Sequence, residues 1–228
     1  MARLLVIIYF SGLKRDSLTF LTAAEKIAAG DRMALASQHL QPLYPILLSL
    51  GCKIGFPQTF GYFLNMVCAV CVMCCAYHVI ASMLKSRAAG YCAMFFCALH
   101  PLLVEMDTTI LRDSSYLCLF ALSVVLTMNL AKNDRRVDAA LLGAVCGAAP
   151  LLREEGWEFA FYFLIFCLLS RYGRILRLEN GKITFRSILI CFAVMFAVYL
   201  FGVLFSSVFG YHWFSNFSHQ ALFWRYLQ

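Results

Sequence analysis

Charge is the scarcest commodity in this chain. Only 14% of its 228 residues are charged, while 62% are hydrophobic; a soluble domain carries about a quarter charged residues. That balance excludes an ordinary soluble globular domain and points to membrane spans. There is no continuous basic patch interleaved with aromatics, so the net charge of +7 does not indicate a nucleic-acid binder. Neither a glycine-rich phosphate loop, nor a Ser/His/Asp arrangement, nor a strong metal motif is present. No long-period repeat or low-complexity tract occurs either, which leaves out solenoid and disordered architectures.

Cysteine is abundant, yet it does not report a disulfide framework. Of the eleven cysteines, all but Cys52 lie inside apolar blocks, where they act as small hydrophobes. Cys68, Cys71, Cys74 and Cys75 are spaced to share roughly one helix face. A metal or cluster site would need a polar second shell and an accessible loop, so helix packing is the favoured reading.

The apolar residues come in long blocks. A span needs about 20 of them, with a range of about 17 to 25. Pro57–Leu84, Ala89–Val104, Ser114–Ala131 and Ser187–Gly210 read as spans, and Val137–Leu152 with Trp157–Ser170 as a shorter pair around "REEG". Met1–Leu13 reads as the remnant of a first span. The expectation is an all-α, polytopic integral membrane protein of about six to seven transmembrane helices, a single domain over residues 1–228, incomplete at both ends.

Basic residues set the orientation. Arg3 and the loops Lys85–Arg87, Lys132–Arg136 and Arg171–Arg186 hold 11 of the 19 basic residues and are assigned to the cytoplasm. The opposite side then holds 9 of the 12 acids, drawn from three distant segments. Its largest loop runs from Lys14 to Phe56. There Leu18, Leu21, Ala24, Ile27 and Ala28 recur at helical spacing before Gly30, predicting an amphipathic helix at the membrane surface. "QPLYPILLSLG" follows as a second interfacial element.

The charged seams on that side are the candidate functional residues. Asp16 either caps the amphipathic helix or acts as a general base toward an acceptor hydroxyl, with Arg15 as its partner or as an interfacial anchor. Glu105, Asp107, Arg112 and Asp113 form either a solvated turn or a paired functional group, in which an arginine could grip phosphate with two bonds. Arg153, Glu154 and Glu155 either brace a tight hairpin, with Gly156 permitting the turn, or touch substrate. His100–Pro101 reads as a kink rather than chemistry. Asn216–Ser218 fits the N-glycosylation pattern, a weak motif.

Four segments, in order, resemble the N-terminal part of GT-C-type polytopic glycosyltransferases, in the branch of the protein O-mannosyltransferases and the lipid A aminoarabinose transferase. They are "RDSLTFLTAAEKIAAGD", "QPLYPILLSLG", "LHPLLVEMDTTILRDSSYL" and "LLGAVCGAAPLLREEGWEF", covering roughly residues 10–170. The resemblance implies transfer of a sugar from a polyprenyl-phosphate donor to an acceptor on the non-cytoplasmic face, in a bacterial inner membrane. It implies Asp16 as the catalytic base, Arg112 and Arg153 as phosphate-binding groups, and Arg15, Glu105, Asp113 and Glu154 as residues orienting them or the sugar. Some relatives use a divalent metal, which the resemblance leaves open. Ser17 follows Asp16 where the family often has a second acid, and relatives run longer, so a C-terminal half or partner subunit is expected. The competing reading is a non-enzymatic membrane protein, either a carrier of lipid-linked sugars or an assembly partner.

Overall fold

A computed structural model of the chain describes residues 15–35, 40–172 and 183–211. The half-length apolar run at the start, the glycosylation triplet, most of the basic 171–186 loop and the side chain of Arg15 lie outside the described residues.

Among the described residues the chain is helical throughout. Helices α1 (Arg15–Ala28) and α2 (Leu43–Ile54) precede the long α3 (Pro57–Met83). A bent pair follows, α4 (Arg87–Leu99) and α5 (Pro101–Thr108), and then α6 (Arg112–Asn133) and α7 (Arg136–Leu152). A 3-10 turn at Glu154–Trp157 leads into α8 (Glu158–Tyr172) and finally α9 (Phe185–Ser207).

Three helices are long and apolar enough to cross a membrane: α3, α6 and α9. Their side chains behave accordingly. Leu189, Phe196, Leu200, Phe201 and Leu204 of α9 are all exposed, which makes sense only if the surrounding solvent is lipid. The pair α4–α5 counts as a fourth span if taken as one, and it bends by 56° at His100–Pro101. Proline cannot donate its N–H and pushes the residue before it out of helical geometry; His100 sits at φ −62 and ψ 119. The kink expected from sequence is therefore present. The expected count of six to seven spans is not reached among the described residues. Of the short pair, α7 has 17 residues, at the lower limit for a span, and α8 has 15 up to the last described residue there.

Helix α1 corrects an expectation. Its apolar face is not laid on lipid: Phe20, Leu21 and Ala24 are buried against Tyr44 and Leu48 of α2, with Ile110 and Leu152 beside them. Phe20 meets the Tyr44 ring edge-on at 5.1 Å. Leu18, counted with the apolar face, is instead half exposed, and Ala23 takes its place inside. The stop at Gly30 holds: with φ at 80 it lets Gly30 N–H reach Ile27 O and Asp31 N–H reach Lys26 O, at 3.0 Å each, a Schellman ending.

Two sets of contacts align the spans end to end. At one end Lys132 at the foot of α6 bonds Ser82 at the foot of α3, and Asp134 accepts from Thr184 N–H at the head of α9. At the other end Asn65 of α3 bonds the carbonyl of Thr109. None of the eleven cysteines forms a disulfide among the described residues; Cys68 instead contacts Ser115 across α3 and α6 at 3.7 Å.

Helices α7 and α9 approach each other closely. A Cβ on Gly143 would strike the Cys191 carbonyl, and one on Gly147 would strike that of Met195. Membrane helices lack a hydrophobic drive to associate and rely on such small-residue contacts. Gly143→Val should therefore cost about 1–3 kcal/mol by overpacking. A thermal midpoint in detergent lowered by several degrees is the expected result, and an unchanged midpoint would refute this packing.

Candidate functional site

The site is built from two helix ends. Helix α6 begins at Arg112 and α7 ends at Leu152, and the packing of the two sets Arg112 and Asp113 beside Arg153. Arg153 Nη1 meets Asp113 Oδ1 at 2.6 Å, with both side chains about a third exposed. The rest of its fork, Nε and Nη2, reaches the two oxygens of Glu155 at 3.3 Å each. Its Cζ lies 5.4 Å from the centre of the Tyr116 ring, within the range of a cation–π contact.

Arg112 is placed differently. Its Nη1 donates to the Leu152 carbonyl at 3.4 Å, and its Cζ lies 6.0 Å from the Phe20 ring centre. Among the described residues it forms no ion pair. The charges of Asp113, Glu155 and Glu154 nevertheless surround it, together with that of Arg153. One guanidinium is thus fully engaged, and its neighbour keeps most of its five donors available.

The field of the two arginines acts on Glu155. Burial alone would raise its carboxyl, but its own backbone N–H and the Arg153 and Arg112 charges outweigh that and hold it below the usual carboxylate range. Reciprocally, burial would lower the Arg153 guanidinium, and its bonds to Glu155 and the charge of Asp113 outweigh that and raise it.

The 3-10 turn carrying Glu154 and Glu155 is seated directly on α7. A Cβ on Gly156 would overlap the backbone of Ala149 and Pro150. Glycine permits the turn, as expected from sequence, by allowing this close approach and not by a positive φ. Glu154 accepts from Gln41 Nε2 at 3.1 Å, and Gln41 Oε1 accepts from the Tyr211 hydroxyl at 2.9 Å. Gln41 and Tyr211 are both buried.

Of the residues singled out from sequence, Arg112, Asp113, Arg153 and Glu154 come together. Glu105 is exposed on α5; the acid of that turn facing inward is Asp107, buried and bonded by Ser114 Oγ at 2.9 Å. Asp16 lies in the first turn of α1 rather than ahead of it, so it is not the cap of that helix. Its side chain is exposed, with no hydrogen bond or ion pair to another described residue. It precedes Phe20 by one helical turn, about 5.4 Å, and Phe20 is the ring beneath Arg112. Sequence reasoning missed Gln41, Tyr44 and Tyr211. The one available signal was the "QPLYP" segment. Tyr44 is wholly buried with its hydroxyl unpaired, as are Ser17 Oγ and Asn65 Oδ1, and burial pushes the Tyr44 phenol well above its usual range.

Tyr116 has a second role. It lines a cavity of about 460 Å³ between α6 and α8 with Phe120, Val124, Met128, Phe159 and Phe163. From Tyr116 to Met128 that cavity follows α6 for twelve residues, about 18 Å. Its walls are mostly apolar, with Ser123, Thr127 and the Glu158 carboxylate among them, and Tyr116 is the lining residue that the Arg153 guanidinium covers. Among the described residues no three His, Cys, Asp or Glu side chains are gathered so as to hold a metal ion.

Residues 39–206 match the family model described as dolichyl-phosphate-mannose-protein mannosyltransferase. No curated protein and no solved structure matches the chain.

The held-down Glu155 carboxyl gives a pH signature. A carboxyl whose folded-state pKa is depressed stabilises the fold above its unfolded pKa and ceases to do so as pH falls through the folded value. The wild-type thermal midpoint should therefore exceed that of Glu155→Gln at pH 7, and the gap should close below about pH 4. A gap that stays constant from pH 7 to 3 would show that Arg153 does not hold Glu155.

Proposed function

The chain belongs to the dolichyl-phosphate-mannose-protein mannosyltransferase family, and from that premise we propose that it transfers a sugar from a polyprenyl-phosphate donor to an acceptor at the non-cytoplasmic membrane surface. One observation carries the donor class. Tyr116 lies both under the Arg153 guanidinium and in the wall of the apolar cavity. A ligand with an anionic head beside the neighbouring Arg112 and Arg153 and a long hydrocarbon tail in the cavity suits both features.

The chemistry follows from the placement. The acceptor oxygen attacks the anomeric carbon, a new C–O bond forms, and the bond from that carbon to the phosphate oxygen breaks. Asp16, exposed and unengaged among the described residues, takes the acceptor's proton. The leaving phosphate gains negative charge, which needs fixed positive charge nearby. Arg112 is the better placed of the two arginines for this, because Arg153 is held by Asp113 and Glu155. Arg153 then orients the head of the site, and Glu154 and Asp113 shape the space for the sugar.

The test is transfer of labelled mannose from polyprenyl-phosphate mannose by the protein in liposomes. Asp16→Ala should lower kcat by about 100-fold or more, while Asp16→Glu keeps measurable turnover. Unchanged turnover in Asp16→Ala would remove Asp16 as the base.

A separate arm addresses the phosphate. Arg112→Ala should weaken retention of polyprenyl phosphate by about tenfold or more, the worth of a charge-assisted hydrogen bond. Equal retention by the variant and the wild type would place the phosphate elsewhere.

A further inference from the structure

We propose that Gln41 is a positioning residue, fixing the Glu154 carboxylate through a carboxamide whose orientation Tyr211 sets; this rests on the reading that Glu154 belongs to the transfer site. Gln41 lies in no helix, two residues before α2 begins. It is nevertheless 5% exposed. Its partners are 113 and 170 residues away in sequence, Glu154 at 3.1 Å and Tyr211 at 2.9 Å.

The polarity of the amide makes the arrangement one-way. A carboxylate only accepts, so the NH₂ group must face Glu154. The carbonyl must then face Tyr211, whose hydroxyl donates to it. A flipped amide would set its carbonyl against the carboxylate, two acceptors with no proton between them. Tyr211 is itself anchored. It is buried among Ile27, Ala34 and Leu35, and Leu35 N–H bonds the Phe209 carbonyl at 3.0 Å. On the other side, the turn that carries Glu154 rests on the α7 backbone through Gly156. Gln41 thus ties the Glu154 carboxylate to the anchored Tyr211 hydroxyl. Its loss removes one of the contacts that orient that carboxylate beside the two arginines.

The charged and titratable groups around this contact come from every neighbouring element. Arg153 and Glu155 share the turn, Arg112 and Asp113 head α6, and Glu158 opens α8. The Tyr44 phenol stands on α2 and Tyr211 follows α9.

Gln41→Glu separates positioning from mere packing. When protonated, the new carboxyl copies the amide: its O–H donates to Glu154 and its carbonyl accepts from Tyr211. When ionised, it faces Glu154 as a like charge. In liposomes with polyprenyl-phosphate mannose, Gln41→Glu should keep near-wild-type kcat in acid and fall about tenfold relative to wild type as pH rises toward 8. Gln41→Met should lose activity at every pH. Thermal midpoints measured at the same pH values separate this from unfolding. A Gln41→Glu profile parallel to that of wild type, or a loss that follows the midpoint, would overturn the positioning role alone. A wild-type protein that transfers no sugar at any pH would overturn the transfer reading and this role with it.

Discussion

The ion pair between Arg153 and Asp113 is the contact on which the rest of the site depends. An arginine cannot shed its charge to suit a buried position, so its partners must come to it. Asp113 supplies one carboxylate from the first turn of α6, and Glu155 supplies the other from the turn after α7. The helix ends favour the same arrangement. The start of α6 carries partial positive charge that suits Asp113, and the end of α7 carries partial negative charge that suits Arg153. Two carboxylates and the negative end of α7 therefore converge on one guanidinium. Because the pair joins two helix ends, it also fixes their spacing, and with it the position of Arg112 one residue before Asp113.

The pair could not form without close packing beneath it. Helices in lipid gain little from burying apolar side chains against each other, since lipid is equally apolar. What holds α7 is the absence of side chain at Gly143 and Gly147, which lets its backbone meet that of α9. Gly156 repeats the device at the end of α7. The 3-10 turn is pressed onto the helix it follows, which holds the backbone of Glu154 and Glu155 close to the arginines. Small residues and large charges are two parts of one design, in which the former set the distances that make the latter worthwhile.

The membrane helices were legible because hydropathy is a local property: α3, α6 and α9 fall within a few residues of the blocks read from sequence. The break between α4 and α5 was equally legible, since the proline that causes it is in the chain at that point. The clustering of Arg112, Asp113, Arg153 and Glu154 could be expected from their shared side of the membrane. What escaped was anything set by tertiary contact. Glu105 and Asp107 are two residues apart in one seam, and only packing decides that Asp107 turns inward. The bond from Gln41 to Tyr211 joins residues 170 apart, with no spacing rule to link them. The apolar stripe of α1 looked like a membrane anchor because periodicity identifies a buried face without saying what buries it.

The two arginines differ in a way that bears on function. Both are partly buried where α6 begins and α7 ends, and a partly buried cation without a partner is costly. For Arg153 that cost is offset within the protein by Asp113 and Glu155. For Arg112 it is offset only in part: a carbonyl at 3.4 Å and the face of Phe20 are weaker partners than a carboxylate. The nearby acids lower the potential without filling the guanidinium's donors. A phosphate arriving at this point would gain charge-assisted bonds from donors that are largely uncommitted beforehand, so little has to be broken to admit it. Leaving as the product phosphate, with more negative charge than the bound diester, it would be held more strongly still. Stabilisation that grows along the reaction accelerates it, whereas stabilisation equal at both ends does not. The sparse pairing of Arg112 beside the ion-paired Arg153 is thus an asymmetry that would suit the proposed transfer from lipid phosphate.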